Sequence, residues 1–248
     1  MIGSDDWKIP EDVPCVTPVT SACRDVSIAL FFLATILFAL QVAIPNVVLL
    51  TVRLPISDTL KVSIYFAVSL AELGALAATA YYFSCRRTGQ TIREGLWIVS
   101  VPPTAFCWSA VAAAFLIAFD LTITPRLEAK SENPVWAMAP PVGAIALSVL
   151  LLIQPPVYAL FYQGFVYSRL RPLSEPFAFF MAIGAFAAHR WFGNGPVTQM
   201  ISPALLTTVL TIQTFKSNSV IPAIVTLYFH RIAIIVLLFT NLMTDAQN

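Results

Sequence analysis

The chain has 248 residues, 58% of them hydrophobic and only 11% charged, with a formal net charge of +1. An ordinary soluble domain is about 45–50% apolar and about 25% charged. A soluble protein of this length could not hide so much apolar surface, and the mean hydropathy of +0.80 names lipid as the solvent. The near-neutral charge excludes a nucleic-acid partner, which needs a basic face.

Residues 1–25, MIGSDDWKIPEDVPCVTPVTSACRD, are polar and broken by prolines. They lack the basic start and early apolar core of a cleavable signal, so the first span is expected to act as the insertion signal itself. A spanning helix needs roughly 20 mainly apolar residues with few charges. Seven segments qualify: 26–52, 61–84, 96–121, 141–168, 176–192, 198–215 and 219–243. The expected fold is therefore all-α, a polytopic transmembrane helical bundle of about seven spans. It occupies residues 26–243, between the tail 1–25 and a short C-terminal tail, 244–248.

The fourth segment is too long for one straight crossing and carries Pro155 and Pro156 in its middle. Proline removes a helix donor and disfavours helix at the residue before it. Two helical pieces meeting inside the membrane are expected there, making eight pieces in all. Broken backbone at that depth is tolerated only where protein buries it or water lines it. The break reads either as a site or as a simple kink.

Arg86, Arg87 and Arg93 lie between the second and third spans, Arg169 and Arg171 after the fourth, and Lys216 after the sixth. By the positive-inside rule these loops share the cytoplasmic side, with the N-terminus cytoplasmic too. The opposing loops still hold Arg53, Lys61, Arg126 and Lys130, so the bias is modest. Cys15, Cys23, Cys85 and Cys107 have no metal-ligand spacing. Cys15 and Cys23 read as two free thiols, and a pairing would need an oxidising compartment.

Several side chains do not belong in lipid. Glu72 sits near the centre of the second span, and His230 and Arg231 near the centre of the seventh. An ionisable group at the bilayer midplane costs about 2.5–3.5 kcal/mol on insertion scales, so such groups face the bundle interior and find partners. Glu72 and Arg231 lie at similar depth and are expected to pair or share a polar network. That network is either a buried structural ion pair or the lining of a substrate or catalytic cavity. His189 opens HRWFGNG at the end of the fifth span, where Arg and Trp beside it also suit a headgroup boundary. Gln154, Gln163 and Gln213 are further polar groups in apolar runs, and a hydrogen bond across membrane helices is worth about 0.6–2 kcal/mol.

Three stretches carry a resemblance: YYFSCRRTGQTIREGLW (81–97), PPVYALFYQGFVYSRLRP (155–172) and SNSVIPAIVTLYFHR (217–231). Their order and spacing resemble the CPBP family of intramembrane proteases, the CAAX-prenyl-protease and bacteriocin-processing type. The resemblance implies a first motif EExxxR followed by a glycine, then FxxxH on the next span, then HxxxN after Pro-Ala-Ile. Aligning Gly164 with the family glycine puts Tyr158 and Ala159 at the glutamates and Gln163 at the arginine. His189 takes the second-motif histidine, with Ala185 at its phenylalanine and Phe186 one residue late. Aligning Pro222-Ala223-Ile224 puts Leu227 at the third-motif histidine and Arg231 at the asparagine. His230 lies one helical turn past Leu227, on roughly the same face.

The family mechanism, as the resemblance implies it, uses a glutamate to activate water, with histidines and an amide around it. General-base work needs a titratable group within hydrogen-bond reach of the water. No acidic side chain is expected beside Tyr158, and a phenol with an ordinary pKa of about 10 is a poor base. Metal binding needs about three protein ligands, and two histidines without a motif carboxylate do not supply them. No metal and no cofactor is implied. The leading expectation is a CPBP-like protein that has lost catalysis and serves as a binding or scaffold subunit, with lipids and other membrane proteins as partners. One alternative is an active protease with a rearranged site of His189, His230 and Glu72. Another is a transporter or channel component, although no second half repeats the Pro155-Pro156 break. The cavity residues on the first reading are Glu72, Tyr158, Gln163, His189, His230 and Arg231.

Overall fold

A computed structural model describes residues 19–39, 58–122, 140–191 and 200–245, and these are mostly helical with no strand among them. The helices are α1 (Val19–Phe38), α2 (Asp58–Tyr81), α3 (Ile92–Gly95), α4 (Pro103–Thr122), α5 (Pro140–Tyr158), α6 (Glu175–Trp191), α7 (Ile201–Ser217) and α8 (Ile221–Asp245). Among the described residues, three apolar stretches are long enough to cross a membrane: Ser63–Arg86, Pro103–Thr122 and Ile145–Leu170. Ile221–Leu237 is a shorter apolar helix. The expected first span, 26–52, differs: its helix starts at Val19, inside the expected polar tail, and the segment beyond residue 39 lies outside the described residues.

The double proline does not break the fourth segment in two. Pro155 and Pro156 lie inside α5, which runs without interruption into a π-helix, Ala159–Tyr167, and a last α-turn, Ser168–Leu170. Two missing N–H donors loosen the i→i−4 ladder, and the wider i→i−5 ladder takes over within a turn. Gly164 sits in this π segment, where a Cβ would come within 2.9 Å of the Leu96 carbonyl oxygen. A second π-helix, Tyr82–Arg86, ends α2, and Phe83 stacks on Phe165 between the two at a centroid distance of 5.9 Å. Tyr158, Phe161, Tyr162, Phe165 and Tyr167 are all buried, so this run is the centre of the core.

The expected start of the third span at residue 96 is also corrected. Residues 96–102 are not helical, and α4 begins only at Pro103. Proline suits a first helical position, where its missing N–H has no partner to lose. The stretch before it is held by the α7–α8 turn: Val220 N donates to the Trp97 carbonyl at 3.0 Å and the Ser219 hydroxyl to the Val99 carbonyl at 2.7 Å. Trp97 holds φ at 54°, a left-handed conformation uncommon outside glycine. Its indole meets the edge of Tyr167 and lies under the Arg171 guanidinium at 5.3 Å.

The basic loops meet at one end of the bundle. Buried Arg169 donates to the Phe83 carbonyl at 2.9 Å, and Arg171 donates to Asn218 Oδ1 at 2.6 Å. Arg87 pairs with Asp25 of α1 at 2.9 Å. Segments expected on one side from their charge thus also touch. Cys23 carries a free thiol, and Cys15 lies outside the described residues.

Helices α4, α7 and α8 close the other half. Thr207, Thr211 and Thr214, all buried, turn their hydroxyls onto carbonyls four residues back on α7. Each is satisfied locally and leaves a small surface for close helix packing. Ser109 donates to the Pro222 carbonyl and Thr226 to Gln213 Oε1, which fastens α8 to both neighbours.

Candidate functional site

Four helical segments bring polar side chains to one place. Glu72 projects from α2, Tyr158 from the last turn of α5, Tyr162 from the π-helix and His189 from α6. The His189 Nε2 lies 2.9 Å from Glu72 Oε1, and the Tyr158 hydroxyl donates to the same oxygen at 3.1 Å. On the far side of the imidazole, Nδ1 is hydrogen-bonded to the Tyr162 hydroxyl. Phe186, one turn before His189, meets both tyrosines edge to face at 5.6 and 5.0 Å. Glu72 is 7% exposed, His189 5% and Tyr158 2%. The expected bare phenol therefore has a carboxylate beside it. The physical reason is packing: α2 lies against α5 and sets residue 72 at the depth of residue 158, a proximity that no spacing along the chain reveals.

The chemistry of this cluster follows from its valences. An ionised carboxylate only accepts, whereas a neutral imidazole donates from one nitrogen and accepts at the other. With the proton on Nε2, His189 donates to Glu72 and takes the Tyr162 hydroxyl at Nδ1. Both ring nitrogens are then used, and the Tyr158 proton is used as well. His189 is accordingly buried in an internal network with Glu72, Tyr158 and Tyr162.

His230 belongs to a second arrangement. Its Nε2 is 2.7 Å from Asp120 Oδ2 on α4, and the Ser202 hydroxyl on α7 donates to Asp120 Oδ1 at 2.8 Å. Arg231 is buried beside it on α8. The cavity residues expected to converge are thus divided: Glu72, Tyr158 and His189 come together, and His230 finds Asp120 instead. Gln163 is buried with neither amide atom hydrogen-bonded among the described residues. Leu227 and Ala223 are fully buried core residues of α8.

Sequence reasoning passed over Tyr162, Asp120 and Ser202. Asp120 did carry a signal, an acid within FLIAFDLTI, one residue from the expected end of the third span. Among the described residues, no group of three His, Cys, Asp or Glu side chains is placed to hold a metal ion. Comparison of the chain with protein-family models, with curated proteins and with solved structures yields no match.

Proposed function

We propose that this chain is an integral membrane protein of CPBP-like build that crosses the bilayer about seven times, N-terminus cytoplasmic, as a non-catalytic binding or scaffold subunit. The observation that carries the reading is the full engagement of His189, whose two ring nitrogens bond to Tyr162 and Glu72. Water activation needs a base with a free lone pair aimed at the water, and here Glu72 Oε1 and both nitrogens of His189 are engaged by Tyr158, Tyr162 and each other. The cluster is packed among aromatic rings and almost wholly buried. Such a network fixes the relative positions of α2, α5 and α6, as a scaffold requires. The substitution of Tyr158, Ala159 and Gln163 at the resembled motif agrees with lost catalysis.

A second reading has one specific observation in its favour. The carboxylate–imidazole couple of Glu72 and His189, at 2.9 Å, is the arrangement a general base uses. On this reading the chain is a protease whose glutamate has moved to another helix.

Purification in gentle detergent with mass spectrometry of co-purifying chains, alongside a peptidase assay, separates the two. The scaffold reading expects a stoichiometric membrane-protein partner and no cleavage of prenylated or unmodified peptides. Peptide cleavage that disappears in H189A and E72Q would overturn it in favour of the protease.

A further inference from the structure

The chain has two histidines, each coupled to a carboxylate, and the two couples differ in completeness. His189 has both ring nitrogens hydrogen-bonded. His230 has only Nε2 engaged, at 2.7 Å from Asp120 Oδ2, while its buried Nδ1 has no hydrogen-bond partner among the described residues. Because an ionised carboxylate accepts and cannot donate, Asp120 holds the proton of a neutral imidazole on Nε2 and leaves the lone pair on Nδ1. Ser202 holds the other oxygen of Asp120. The base is therefore oriented, and its basic atom is unused among the described residues. A buried acceptor left in that state is unfavourable, and a bonded proton or water relieves it.

We propose that Asp120 and His230 form a proton-binding site where α4 meets α8, with Asp120 as counter-ion. The step is balanced simply. An O–H bond of hydronium breaks to release water, its proton forms the Nδ1–H bond, no ring bond breaks, and the product is an imidazolium facing a carboxylate, neutral as a pair. The Asp120 side chain is 28% exposed and the His230 side chain 2%, so the carboxylate that orients the ring reaches the bundle surface. Ionisable groups within membrane spans characteristically serve such proton relays.

Among the described residues, the ionisable side chains on α8 and on the elements packed against it are few. Asp120 and Cys107 lie on α4, Tyr158 on α5, Tyr162 and Tyr167 on the π-helix, and Lys216 at the last turn of α7. Arg231 and Tyr228 are neighbours on α8 itself. Asp120 is the carboxylate hydrogen-bonded to the ring and the one that balances its charge. The inference does not rest on whether the chain is a scaffold or a protease.

The test is nitrogen NMR of the full chain, labelled with [15N]histidine, in lipid nanodiscs. Two histidines give four ring nitrogens. The scan runs from pH 8 to pH 5, the range in which ordinary imidazoles change charge. The expected result is that His230 Nδ1 shows the signature of an unprotonated nitrogen at high pH and reversibly loses it on acidification, with Nε2 protonated throughout. In D120N this change is lost from the window, while the His189 signals stay as they were and report an intact bundle. An Nδ1 that remains unprotonated throughout, or one that responds identically in D120N, overturns the proposal. Should D120N not fold, H230Q decides: the acid-responsive signal must vanish, and its persistence assigns it to His189 and ends the proposal.

Discussion

Tyr158 and His189 share one acceptor: both are hydrogen-bonded to Glu72 Oε1, at 3.1 and 2.9 Å. Residues 86 and 117 positions from Glu72 along the chain thus depend on a single carboxylate oxygen. In E72A both donors lose that acceptor, and an unmet buried donor costs about 1–3 kcal/mol. In Y158F only one donor disappears and the expected loss is about 0.5–1.5 kcal/mol. Reversible unfolding in mixed micelles measures both, and an E72A protein as stable as wild type would remove the network from the account of the fold.

Two glycines stand where backbone comes too close for a side chain. A Cβ on Gly95 would lie 2.5 Å from the Ser84 carbonyl oxygen, and one on Gly164 2.9 Å from that of Leu96. Both obstacles are main chain, so G95A and G164A are expected to destabilise, G95A more. Gly74 and Gly184 are exposed helical positions with nothing within 4 Å of such a Cβ. G74A and G184A are expected to stabilise by about 0.5–1 kcal/mol through lower backbone entropy in the unfolded chain. Thermal midpoints of the four variants check the order.

Arg169 and Arg86 offer a paired comparison at the basic end. Arg169 is buried and donates to the Phe83 carbonyl at 2.9 Å, while Arg86 is exposed. A hydrogen bond from a charged group contributes about 1.5–3 kcal/mol, so R169A is expected to lose that much. R86A should stay within about 0.5 kcal/mol of wild type, as surface substitutions do. Equal effects in the same unfolding assay would refute the anchoring role of Arg169.

The short helix α3 is closed by a capping box. Thr91 Oγ1 accepts from Glu94 N, and Glu94 Oε2 accepts from Thr91 N at 3.0 Å. The Thr91 backbone N–H, and then its hydroxyl, hold the Glu94 carboxyl below its usual range. A carboxyl depressed in the folded state contributes stability above its unfolded value, and that contribution fades as pH falls through the folded value. Amide hydrogen exchange in residues 92–96 should therefore quicken at acid pH in wild type, after correction for the intrinsic rate. In E94Q it should be faster at neutral pH and lack the acid dependence, and an unchanged dependence in E94Q would assign it elsewhere.

The helical character of the chain, and the apolar stretches long enough to cross a membrane, were legible because burying backbone polar groups in lipid forces helix, and 20-residue apolar runs advertise it. Glu72, His189, His230 and Arg231 were legible as anomalies because ionisable groups rarely stand in apolar runs. The π-helix after Pro155 and Pro156 was not, since proline signals a lost donor but not how the ladder repairs itself. Residues 96–102 read as a span because they are apolar, and what holds them out of helix is a turn 120 residues further on.

Composition and local pattern by themselves determined that lipid is the solvent, that the elements are helices, and which side chains need partners. Which partner each one takes was decided only when helices packed. Glu72 meets His189 and Tyr158, and Asp120 meets His230 and Ser202, because the rotation and depth of each helix are set by side-chain packing along its whole length. Hydrogen bonds act over about 3 Å, and no distance along a sequence carries that information.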